Sequence, residues 1–119
     1  MVMSSWELND GRTIPDFDWH IRLLLDNDYG CYQAILEMLE MLDHVAPDRH
    51  GDIWSEKEYV RFTFADQLKD FVEEIIQLGE HDLWIDELLG CAIAAVDWQG
   101  VADMYVDDYS RYGEYYQGG

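Results

Sequence analysis

F-A-D-Q-L-K-D-F-V-E-E-I-I-Q-L, residues 64–78, decides the fold class. Phe64, Leu68, Phe71, Val72, Ile75 and Leu78 recur at helical spacing, and Asp66, Asp70, Glu73, Glu74 and Gln77 fall opposite them. That period belongs to an amphipathic helix. Gly79 is a natural stop, because glycine accepts the left-handed conformation that ends a helix. Upstream, Ser55 and Glu58 have the spacing of a capping box. Tyr59, Val60, Phe62, Thr63 and Phe64 are β-formers, so a short β segment near 59–64 is the alternative. No partner strand is apparent elsewhere, which favours helix.

The same pattern extends in both directions. Residues 1–15 read as an irregular arm, punctuated by Asn9, Asp10, Gly11 and Pro15. Asp16 is placed to cap a helix carrying Trp19, Ile21, Leu23, Leu24 and Leu25, which Asp26-Asn27-Asp28 breaks. Asp28 caps a second helix, roughly 29–43, with Tyr32, Ile35, Leu39 and Leu42 on one face and Gln33, Glu37, Glu40 and His44 on the other. Residues 44–54, with Pro47 and Gly51, read as a loop. Asp82 caps a helix of about 83–95, the most apolar segment and therefore the expected central helix. Asp97 caps a last helix holding Val101, Met104 and Tyr105. Leading into the tail, 110–119, Tyr105, Tyr109, Tyr112 and Tyr116 follow at spacings of 4, 3 and 4; this is either a helical tyrosine stripe or a frayed end, and Gly113 argues for fraying. The expectation is a single all-α domain over 1–119, a compact bundle of about five helices with an acidic outer face.

Composition restricts function. The 119 residues include 26 Asp and Glu against 7 Lys and Arg, a formal charge of −19, while 49% are apolar and 14% aromatic. Disorder requires low hydrophobicity as well as high charge, so the chain is expected to fold. Direct nucleic-acid binding and docking on an anionic membrane both require a basic surface. No run of 18 apolar residues is present to span a bilayer. The opening MVMSSWELND has neither the basic nor the apolar region of a signal peptide. Cys31 and Cys91, 60 apart, fit no metal or redox spacing, and a reducing cytoplasm is the expected compartment. The charge is also uneven: from Asp70 to Ser110 there are 11 acids and no Lys or Arg.

Catalytic patterns do not emerge. His20, His44, His50 and His81 make no H-E-x-x-H; His44 and His50 with Asp48 and Asp52 could clasp a metal in the loop, but surface loop histidines are far commoner than metal sites, so none is expected. Asp26-x-Asp28-x-Gly30 fails as a calcium loop in either register, since the first ligand falls on Leu25 or the turn position on Cys31. No phosphate-cradling glycine loop or nucleophile elbow occurs, and Ser4, Ser5, Ser55 and Ser110 lie near no evident base. Abundant exposed carboxylates do not supply an acid–base pair of separated pKa values. The expectation is a non-enzymatic protein with no catalytic residue, metal or cofactor.

What remains is the acidic array. Asp66, Asp70 and the pair Glu73/Glu74 form a row about one helical turn (~4.5–6 Å) apart, and Asp82, Asp86, Glu87, Asp97, Asp103, Asp107 and Asp108 extend it over neighbouring helices. Such a surface suits a basic groove built for nucleic acid. Trp84, Trp98, Tyr105, Tyr109 and Tyr112 are the expected aromatic anchors. The expected partner is a basic nucleic-acid-binding protein or complex; a homodimer is compatible with the same reading. The plain alternative is a solvated acidic surface with no partner.

D-F-D-W-H-I-R-L-L-L-D-N-D-Y-G-C-Y (16–32) and L-L-G-C-A-I-A-A-V-D-W-Q-G-V-A (88–102) resemble two blocks of a family of small acidic phage and bacterial proteins without assigned activity. Trp19, Asp26, Asn27, Asp28, Gly30, Tyr32, Asp97 and Trp98 carry the likeness, about a quarter of the chain being covered. These are caps and core aromatics, so the resemblance implies no catalytic residue. In size and charge, though not in motif, the chain is also similar to phage-encoded DNA-mimic inhibitors of restriction and CRISPR systems. Two other readings compete. One is a salt-adapted domain, given 16 Asp, 10 Glu and 2 Lys. The other is an acidic adaptor for a basic partner that has no nucleic-acid site.

Overall fold

Asp28 and Ser55 start the two longest helices. In the computed structural model, which describes residues 5–7, 13–78 and 83–113, the Asp28 carboxylate accepts a hydrogen bond from the Cys31 N–H at 3.0 Å. The Ser55 hydroxyl accepts from the Glu58 N–H at 3.1 Å, while the Glu58 carboxylate accepts from the Ser55 N–H at 3.0 Å, which completes the capping box. The elements are β1 (Ser5–Glu7), β2 (Thr13–Pro15), α1 (Asp16–Asn27), α2 (Tyr29–Arg49), α3 (Glu56–Leu78), α4 (Leu83–Ala95) and α5 (Trp98–Tyr109). The all-α expectation holds. Residues 59–64 are helical, and the strand alternative is not realised there. Val60 and Phe64 point into the core one turn apart, as a helix requires and a strand does not.

The only strands among the described residues lie in the segment read as an irregular arm. β1 and β2 pair antiparallel, with Trp6 opposite Ile14. Ile14 is buried with the helices. Gly100, in the first turn of α5, lets this ladder approach, since a Cβ there would stand 3.0 Å from Ile14 Cδ1.

α2 runs on to Arg49, through the stretch expected to be a loop. Pro47 has no N–H, so the Asp43 carbonyl lacks its usual intrahelical donor. The Arg111 guanidinium donates to that carbonyl at 2.9 Å. The Asp43 carboxylate meanwhile accepts from the Ser110 hydroxyl (2.7 Å) and the Arg111 N–H (3.2 Å). The chain beyond α5 is thus tied to α2. Gly113 belongs to the same packing: its N–H donates to the Ser110 carbonyl, and a Cβ at this position would overlap the Val106 carbonyl. Close backbone approach, not fraying, accounts for this glycine. Tyr116 lies outside the described residues.

The central helix is α5, not α4. Val101, Ala102, Met104, Tyr105 and Val106 are fully buried, against Val60, Phe64 and Leu68 of α3 and Ile35 and Leu39 of α2 in one core. Phe64 meets Tyr105 edge-on, with ring centroids 6.0 Å apart. α4 has the expected bounds but borders α3 at the periphery. Its Leu88 is 60% exposed, and Gly90, Cys91, Ala94 and Ala95 are exposed with it. The reason is area: G-C-A-I-A-A offers little apolar surface per residue, whereas Trp98, Met104 and Tyr105 offer much.

α5 also buries two carboxylates. Arg61 of α3 reaches Asp103 at 3.0 Å and Asp107 at 2.8 Å, and the Gln99 amide donates to Asp103 at 2.9 Å. Removing one member of a buried ionic cluster strands the others in low dielectric, at about 3–5 kcal/mol. The Arg61→Met variant should lose that much in urea unfolding. Adding Asp103→Leu and Asp107→Leu to it should restore most of the loss.

Candidate acidic interface

The acidic row of α3 exists on the folded surface. Asp66, Asp70 and Glu74 are exposed and Glu73 is half-buried; Lys69 stands exposed among them. Among the described residues no cation pairs with any of the four carboxylates. From Asp66 to Glu74 the helix advances ~12 Å, so with Lys69 counted this edge carries one net negative charge per ~4 Å. Phosphates along one strand of DNA are spaced at ~3.4 Å.

The rest of the expected array divides. Glu87 is exposed, and so is Asp97, whose carboxylate caps α5 by accepting from the Gly100 N–H at 3.2 Å. Asp82 and the side chains of Asp86 and Trp84 lie outside the described residues. The α5 acids do not belong to an outer face. Asp103 is 2% and Asp107 5% exposed, both turned onto Arg61. Asp108 reaches solvent but binds the Arg22 guanidinium at 2.6 Å. Charge reversal at these three would therefore attack the fold before any partner.

Arg22 of α1 shows why. Its Nε lies 3.3 Å from Asp26, and its guanidinium stands 4.6 Å from the centre of the Tyr105 ring and 5.8 Å from that of Tyr109. Burial opposes its charge, yet Asp108 and Asp26 outweigh burial and hold its pKa above the ordinary value. Tyr105, expected as an anchor, is fully buried and donates to Asp26 at 2.6 Å. Burial and then that bond raise its pKa. Trp98, also expected near the rim, is buried and donates from its indole to the Ile93 carbonyl. Tyr109 is 44% exposed, its hydroxyl accepting from Tyr32 at 3.1 Å. Tyr112 is half-buried and donates to Glu56 at 2.6 Å.

One surface feature escaped the sequence reading. In the α2–α3 loop Ile53 is 91% exposed, and Trp54 (40%) packs its indole on Phe62 (38%) with ring centroids 5.2 Å apart. Phe62 precedes Asp66 by one turn on the same stripe of α3. The available signal was D-I-W-S, two large apolar residues in a stretch otherwise composed as a turn.

Among the described residues no group of three or more His, Cys, Asp or Glu side chains is arranged to hold a metal ion. No helix described is long and apolar enough to cross a membrane. No known protein family, curated protein or solved structure matches the chain.

Two outcomes test this division of the acids. Neutralising Asp66, Asp70 and Glu74 to their amides should leave stability unchanged or raise it by a few tenths of a kcal/mol at low salt, since it relieves like-charge pairs. Asp103→Asn should lower it by about 1–3 kcal/mol, with the half-buried partners Arg61 and Gln99 misfitted. Tyr112 supplies the second. Burial first, and the bond to Glu56 next, push its pKa up to about 12. The stability this lends is present below the ordinary tyrosine range and is lost as pH rises toward 12. Ultraviolet titration should show a tyrosine ionising near that pH that is absent in Tyr112→Phe.

Proposed function

We propose that this chain is a non-enzymatic binding protein whose α3 row enters the basic nucleic-acid groove of a partner protein and blocks it. The observation that carries the reading is the net-negative run Asp66, Asp70, Glu73 and Glu74, in which Lys69 is the one cation and pairs with none of them, on a helix whose opposite face is locked into the core. Seven cations are available to the chain, and two of them are spent on holding α5: Arg61 on the buried Asp103 and Asp107, and Arg22 on Asp108. Carboxylates fixed on a packed helix lose little freedom on docking. They also displace the partner's counterions as phosphates do and steer encounter at low salt. The likeness in size and charge to DNA-mimic inhibitors supports a bacterial defence complex, a restriction enzyme or a CRISPR effector, as the kind of target. Nucleic acid itself and anionic membranes are repelled by the same charge.

The test is affinity capture from a bacterial lysate on the immobilised protein, followed by competition with duplex DNA and guide RNA. Each exposed ion pair is worth up to about 1 kcal/mol. Asp70→Lys with Glu73→Lys and Glu74→Lys should therefore weaken capture ~100-fold and flatten its salt dependence while circular dichroism stays unchanged. Unchanged affinity in that variant sinks the proposal. A partner that nucleic acid does not displace would point instead to an adaptor for a basic protein.

A further inference from the structure

The apolar cluster beside the row has its own consequence. Ile53, at 91% exposure, contributes nothing to the core, and Trp54 and Phe62 hold a pair of aromatic rings at the surface. The loop that carries Ile53 and Trp54 is bonded at both ends. Gly51 turns the chain at φ +76°, the His50 imidazole Nδ1 lies 2.9 Å from the Trp54 carbonyl oxygen, and the capping box fixes Ser55 directly after Trp54. A cavity of about 320 Å³ opens along residues 50–54. Trp54 partly covers Phe62 across the helix start; no such packing explains Ile53. From Phe62, the stripe continues to Asp66, Asp70 and Glu73, each about one turn (~4.5–6 Å) further along, with Lys69 the one cation on it.

Grooves that bind single-stranded nucleic acid combine two elements, a line of Lys and Arg for the phosphates and aromatic side chains on which bases stack. This face of α3 carries the complement of both: a line of fixed negative charge and, at its end, an exposed aromatic ring. We propose that the Ile53–Trp54–Phe62 cluster is the stacking end of the docking surface, and that its occupant is a basic protein groove of the single-strand-binding type, with an aromatic or apolar side chain about one helical turn from its cations. This rests on the reading of the acidic row given above and narrows it from nucleic-acid grooves in general to that class. A groove that reads duplex backbone by charge alone leaves Ile53 and Trp54 without a role.

The probe is a hexapeptide of five lysines and one tryptophan, compared with its alanine counterpart, titrated into the full chain at low salt and followed by NMR and calorimetry. The expected result is about tenfold tighter binding of the tryptophan peptide, with shifts concentrated at Ile53, Trp54 and Phe62. The preference should vanish in Trp54→Ala and shrink in Ile53→Ser, a change at a site too exposed to disturb folding. In Asp70→Lys with Glu74→Lys both peptides should weaken together. Equal affinity for the two peptides in the native chain, or an undiminished preference in Trp54→Ala, overturns the stacking end and leaves the acidic row standing. If neither peptide shifts the α3 resonances, the row is no docking surface and both proposals fall. A native dimer in sedimentation that Ile53→Ser dissolves would assign the cluster to a second copy of the chain and overturn the proposal as well.

Discussion

The structure depends on how α5 is neutralised. A helix with Asp103 and Asp107 on it can sit at the centre of a small protein only if cations come to it, because an unpaired buried carboxylate costs several kcal/mol. Arg61 comes from α3 and meets both. On another side Arg22 comes from α1, paired with Asp26 and Asp108 and set over the rings of Tyr105 and Tyr109. Two arginines from distant parts of the chain thereby fix which helices flank α5. Apolar packing by Phe64, Leu68, Met104 and Tyr105 then closes the core around them.

This internal use of charge shapes the surface. The protein has few cations, and the acids around α5 take Arg22 and Arg61. The α3 row is left unmatched among the described residues, on the side of the helix facing away from Val60, Phe64 and Leu68. Stability and the proposed binding thus draw on different acids of the same chain: α5 acids hold the bundle, α3 acids face outward. The proposed function concerns the second set alone.

Much of the fold was legible from local chemistry. Asp28, Ser55 with Glu58, and Asp97 act as caps where short-range spacing put them, because a cap bond spans only three residues. α3 and α4 follow from apolar periodicity and composition. The length of α2 was not legible. Pro47 is a helix breaker in local terms, and it is accommodated because Arg111, 64 positions along the chain, supplies the missing donor to Asp43. Gly113 was misread for a related reason, as its requirement comes from the backbone of Val106 and Asp107 folded onto it.

The sequence by itself determined that the chain forms an acidic set of helices with α3 amphipathic, since helix period and capping are short-range properties. Only the tertiary structure decided which acids remain outside. Asp103, Asp107 and Asp108 lie in a stretch without a single base and look unpaired in any linear count, yet Arg61 and Arg22 reach them across 42 to 86 positions of chain. Coulomb attraction depends on distance in space and on burial, neither of which a linear count of charges contains.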